Sequence, residues 1–133
     1  MKTHVHTEGE LSVSGTAETF SEYVKRIDDW ELIHESGYPG NKKQGERWVV
    51  LDMDGTMTRT EGLNDWLQSV AQKSVSRVRF LIGGKEGIDS SYRTKADLEL
   101  SLGPMVMNQC VAAVVLAEQL YRCFAIRTRH PYH

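Results

Sequence analysis

Hydrophobic and polar positions recur at two periods along this chain, and the two alternate. Residues Lys2–Thr7 (KTHVHT) alternate weakly and predict a short strand. Residues 15–29 place Phe20, Tyr23, Val24 and Ile27 at helical spacing, with Ser14 as the expected cap. A second strand is expected over 31–34, and then 36–46 (SGYPGNKKQGE) is the clearest loop, dense in Gly, Pro and polar residues. Residues 47–52 (RWVVLD) read as a buried strand, short and β-branched. Residues 60–73 carry Leu63, Trp66, Leu67 and Val70 on one helical face, with Thr60 as the expected cap. Arg77–Ile82 (RVRFLI) predicts the next strand, followed by the glycine-rich run 83–87. A helical turn over Ser90–Lys95 and a strand over 97–102 (DLELSL) follow. The strongest helix is expected over 108–126, apolar through Val111, Val114, Val115, Leu120 and Phe124.

Strands alternating with helices predict an α/β domain with a mainly parallel sheet. In such sheets ligands bind outside the carboxyl ends of the strands, which singles out the loops after Leu51, Ile82 and Leu102.

With 133 residues, 40% apolar and 26% charged, residues 1–133 are expected to form one globular domain. No uninterrupted apolar run approaches the roughly 20 residues of a membrane span, so no membrane partner is expected. Residues 1–15 lack both the basic-then-apolar order of a signal peptide and the arginines of a transit peptide. Cys110 and Cys123 fall on one predicted helix about 20 Å apart, too far for a disulfide. Neither sits in a zinc-ligand pattern, so no metal is expected and a reducing compartment is. Net charge is −2 but uneven: residues 1–70 hold 7 Lys/Arg against 13 Asp/Glu, residues 71–133 hold 9 against 5. Arg122, Arg127, Arg129, His130 and His133 form the densest basic stretch, open to two readings: an RNA contact or a solvated helix end.

Residues 49–57 (VVLDMDGTM) look like the nucleophile motif of haloacid dehalogenase-like phosphatases, in which paired aspartates hold Mg²⁺ and attack phosphorus. The downstream acidic pair that chemistry requires is absent, so this stays a remote alternative.

The carboxyl-terminal half carries FLIGGKEG (80–87), LSL (100–102), EQLYR (118–122) and HPYH (130–133), in that order. This resembles the RlmH family, SPOUT-class methyltransferases that modify ring N3 of a pseudouridine in large-subunit ribosomal RNA. Leu51-Asp52 with Gly55 is similar to that family's Leu-Asp-x-x-Gly element, and 22–26 (EYVKR) to its Glu-Tyr-x-x-Arg segment. The resemblance implies a SPOUT α/β knot, a C-terminal trefoil knot that bends S-adenosylmethionine into a pocket of three loops. By position these supply Leu51, Gly83 and Gly84, and Leu102, Gly103, Pro104, Met105, Val106 and Met107. It also implies an antiparallel homodimer acting on the large ribosomal subunit or the assembled ribosome, in the cytoplasm or, in a eukaryote, an organelle. Arg122, Tyr132 and His133 match the positions expected near the acceptor, with Arg122, Arg127 and Arg129 toward RNA, and Glu118 is expected to orient Arg122.

The chain departs from that pattern at several points. Gln109 and Ala113 stand where the family usually has His and Arg, so Ala113 reads as a lost cation on the RNA or dimer face. The third loop reads Ser101-Leu102-Gly103 in place of Ser-x-Ser, and a basic residue commonly follows the position of His133. Between His34 and Arg47 the family has a longer segment with a helix. These differences leave a second expectation beside the enzyme: a catalytically degenerate relative serving as a ribosome-assembly or RNA-binding factor.

Overall fold

In a computed structural model of the chain, which describes residues 1–131, five strands form one sheet with every pairing parallel. The strands are β1 (Lys2–Thr7), β2 (Glu31–Ser36), β3 (Glu46–Met57), β4 (Arg77–Ile82) and β5 (Leu98–Ser101), in the order β2-β1-β4-β3-β5. The helices are α1 (Thr16–Arg26), α2 (Thr60–Ala71), α3 (Ser90–Lys95) and α4 (Gln109–Arg127).

Alternation along the strands sends Val5, Leu32, Val49, Val78 and Phe80 to one face, where they meet Phe20 of α1, Leu63, Leu67 and Val70 of α2, and Ala113, Leu116, Ala117 and Leu120 of α4. Helix α4 is long and apolar enough to cross a bilayer by length and composition, although charged and polar residues interrupt its apolar run. Its buried residues make it the core helix of this face.

The opposite face carries a smaller cluster, Trp48, Val50 and Leu81, covered by Tyr38, Ile88, Tyr92 and Ala96. Residues 37–45, with no helix of their own, cross this face as a strap from β2 to β3. Gly37 donates its N–H to Thr7, the Tyr38 hydroxyl donates to Ile82 C=O at 2.6 Å, and Lys42 pairs with Asp97 at 2.7 Å.

Beside the strap lies a buried polar row. The Nε2 atoms of His4 and His6 accept from Arg77 (2.7 Å) and Arg79 (3.0 Å), while their Nδ1–H groups donate to Glu35 (2.6 Å) and Gly37 C=O (2.8 Å). Burial and the nearby arginines outweigh Glu35 and hold both imidazoles below the ordinary histidine value. His4, His6 and Glu35 bring ligand-type atoms within 4.8 Å of one another, but arginines already occupy both Nε2 lone pairs, so the set does not fit a cation.

Two expected caps are corrected. Gly15, in the left-handed region at φ 85°, takes the N-cap position of α1 in place of Ser14, and Thr16 folds its hydroxyl back to Val13 C=O. Thr60 is the first residue inside α2, preceded by Arg59, and its hydroxyl donates to Gln119 on α4. Strand β3 also outruns its expected end. The acidic segment after Leu51 is looped out as a bulge, and pairing with β5 resumes at Thr56. A Cβ on Gly55 would lie 2.7 Å from Glu99 C=O, so the Leu-Asp-x-x-Gly spacing has a packing cause.

Candidate cofactor cleft

The carboxyl ends of β3, β4 and β5 lie side by side, and their loops enclose a cleft of about 330 Å³. Its walls include eight of the nine positions expected there: Leu51, Gly83, Gly84, Leu102, Gly103, Met105, Val106 and Met107. Pro104 belongs to the same loop without lining the cleft. Asp52 of the Leu-Asp-x-x-Gly element lines the cleft too, joined by Lys85, Ile88, Arg93 and Ala112, whose place there carries no sequence signal because residues in the turn and on α3 and α4 meet only in three dimensions.

Each loop is held by the chain's own hydrogen bonds. Gly83 and Gly84 open a tight turn closed by Gly87 N–H to Gly84 C=O at 2.9 Å. A Cβ on Gly83 would sit 2.7 Å from backbone atoms of Gly87 and Ile88, so the turn itself requires glycine there. Ser101 Oγ accepts the Gly103 N–H at 3.0 Å and lies 3.0 Å from Met53 C=O, joining the third loop to the bulge. Gln109 Oε1 accepts the N–H of Glu8 at 2.8 Å, so this residue ties the loop after β1 to the start of α4.

The cleft is apolar with one charged corner. Asp52 accepts the N–H of Asp54 and pairs with Arg93, which also reaches Glu99 at 3.4 Å. The Asp54 N–H first, then Arg93, hold the Asp52 carboxyl below the usual range. Asp52 is therefore a charged wall residue engaged by an arginine, and the phosphatase resemblance of its motif reduces to a bulge.

The basic stretch divides. Arg127 is bound bidentately to Asp29 (2.7 and 3.0 Å) and lies 3.7 Å over the Trp30 ring, with 10% of its side chain exposed. Its Nη1 also donates to Asn64 of α2 at 3.3 Å, so the α1–β2 loop and α2 both engage its charge, and in the single chain Arg127 is not an open cation. Arg129 is exposed in the turn after α4. Arg122 Nε donates to both Glu118 oxygens (2.7 and 2.8 Å), one helical turn away. Ten residues of α4 separate Arg122 from Ala112 in the cleft wall, about 15 Å, so a single chain does not bring Arg122 to the cleft. Tyr132 and His133 lie outside the described residues. Ala113 is corrected as well: it is fully buried in the core, not a cation lost from a surface. Both cysteines are free and buried, and burial pushes the Cys123 thiol up to about 12.

A family model described as "Predicted SPOUT methyltransferase" matches residues 31–133. The chain is similar to a protein named ribosomal RNA large subunit methyltransferase H from Thermus thermophilus, 45% identical over 92 residues, which span 69% of this chain and 65% of that protein. It is 32% identical to the protein of that name from Stenotrophomonas maltophilia, over 100% of this chain and 99% of the relative. That alignment runs over 155 positions against 133 residues here, so the relative holds residues this chain lacks. Among solved structures, a probable methylase family protein from Haemophilus influenzae superposes with a TM-score of 0.63 at 11% identity, over 99% of this chain and 70% of that one. A probable methyltransferase from Bordetella pertussis gives 0.54 at 10% identity, over 92% and 93%. At those identities the structural likeness speaks for the fold alone.

Proposed function

Because the chain belongs to the SPOUT methyltransferase family, we propose that it is an S-adenosylmethionine-dependent enzyme that methylates large-subunit ribosomal RNA, with ring N3 of a pseudouridine as acceptor. The observation that carries this reading is the convergence of three loops, distant in sequence, on one apolar cleft at the carboxyl edge of the sheet. S-adenosylmethionine, when bound, supplies a methyl group already activated on a sulfonium.

The chain's own part is to hold and to align. Leu51, Ile82, Ile88 and Leu102 enclose a flat, weakly polar group, while the backbone of the Gly83-Gly84 turn and of Leu102 to Met107 offers donors and acceptors to its edge. Fixing donor and acceptor in line supplies most of the rate, because the leaving group is already good.

The acceptor side is completed by a second copy of the chain. Met57, Met105 and Val106 are 68%, 80% and 87% exposed, and Val111 is also exposed at the start of α4. An antiparallel partner covering them would carry its own Arg122 toward this cleft, across the distance a single chain leaves open. Arg122 then faces the target base, Tyr132 and His133 are the further residues assigned to the acceptor, and Arg129 meets phosphate. The knot belongs to the same reading, and the placing of β3 between β4 and β5 is compatible with it. The compartment follows the substrate: cytosol, or an organelle with its own ribosomes.

The test is calorimetry with S-adenosylmethionine followed by transfer of a labelled methyl group to ribosomes lacking the modification. Saturable binding and stoichiometric labelling of the large subunit are expected. Binding without labelling would overturn the acceptor and leave a scaffold role; no binding would overturn the cofactor.

A further inference from the structure

The cleft has one polar corner, and its chemistry is two-signed. Asp52 sits on the β3 bulge with 19% of its side chain exposed, fixed by the Asp54 N–H at 3.1 Å. Arg93 reaches it from α3 with 35% exposed, and Lys85 stands on the adjoining turn. The bonds of Arg93 to Asp52 and Glu99 both run through one terminal nitrogen, Nη1. Among the described residues its Nε and Nη2 edge has no acceptor, and that is the edge suited to a bidentate grip on a carboxylate. Every other wall residue is apolar or glycine.

S-adenosylmethionine has two unlike ends, an adenosine that suits apolar walls and backbone, and an arm bearing an α-carboxylate and an α-ammonium. We propose that the Asp52–Arg93 corner is the subsite for that arm, Arg93 gripping the carboxylate and Asp52 receiving the ammonium. The assignment rests on the cleft being the cofactor site. Arg93 and Asp52 are then specificity residues: they set which sulfur nucleosides bind, by reading the amino-acid end.

The experiment compares three ligands by calorimetry: S-adenosylmethionine, S-adenosylhomocysteine, and 5′-methylthioadenosine, which keeps the nucleoside and lacks the arm. The native protein is expected to bind the two armed ligands at least about tenfold more tightly than methylthioadenosine, about 1.4 kcal/mol. Arg93→Gln is expected to remove that gap, weakening the armed ligands about tenfold while leaving methylthioadenosine within about twofold, with Arg93→Lys falling between. Asp52→Asn should narrow the gap in the same sense, and serves as a second variant should the first lose thermal stability. Equal weakening of all three ligands by both variants would make the pair a structural brace and overturn the subsite. An unchanged gap would overturn it too. If the native protein binds none of the three, the cofactor reading falls and takes the subsite with it.

Discussion

The hydroxyl of Ser101 lies 3.0 Å from the carbonyl oxygen of Met53, 48 residues earlier in the chain, and accepts the N–H of Gly103 at the same distance. One buried hydroxyl thus joins the β3 bulge to the third loop of the cleft. Ser101→Ala should cost about 1–2 kcal/mol, because the Gly103 N–H loses its acceptor. It should also weaken S-adenosylmethionine binding. Chemical denaturation and calorimetry on the same variant check both, and unchanged binding would detach the hydroxyl from the cleft.

Gly83 and Gly84 differ in what surrounds them. A Cβ at 83 meets the backbone of Gly87 and Ile88 at 2.7 Å, whereas one at 84 meets the flexible side chain of Glu8. Gly83→Ala should cost about 1–3 kcal/mol through forced movement of the turn. Gly84→Ala should cost much less, since Glu8 can swing away. Equal melting temperatures for the two variants would contradict this.

Two neighbouring arginines should respond in opposite directions. Arg127→Ala removes the pair with Asp29 and the contact over Trp30 and should cost about 2–3 kcal/mol. Arg129 occupies the left-handed position that closes α4, with φ 60° and the His130 N–H on Ala125 C=O at 2.7 Å. Arg129→Gly should therefore stabilise the fold by about 1 kcal/mol. It should weaken ribosome binding if this residue meets phosphate. Thermal melts and ribosome co-sedimentation read the two effects separately.

The buried imidazoles make stability depend on pH. His4, His6 and His34 are each held below the ordinary value of 6.5, foremost by burial. The unfolded chain therefore takes up protons first. Stability is intact above about pH 6.5 and declines as pH falls below it toward the lowered folded values. Glu35 is held low despite its burial, by the His4 hydrogen bond first, so its loss follows only at more acid pH. The melting temperature should fall between about pH 7 and about pH 5. A His4→Gln/His6→Gln variant should show a shallower slope, and an equal slope would remove these residues as the cause.

The sequence by itself determined the order and type of every element, because period-2 and period-3.6 patterns are local and survive reading one residue at a time. It also determined the three loops of the cleft, since parallel topology fixes which strand ends face a ligand. What it left open were contacts between distant residues. The Asp52–Arg93 corner, the burial of Ala113 and the capture of Arg127 by Asp29 join positions 41 to 98 residues apart or depend on which helix face meets the sheet. A charge has the same letter whether it points to solvent or is gripped by a partner. Only the tertiary structure, which brings the partner within hydrogen-bond distance, decided which arginines remain open to a ligand.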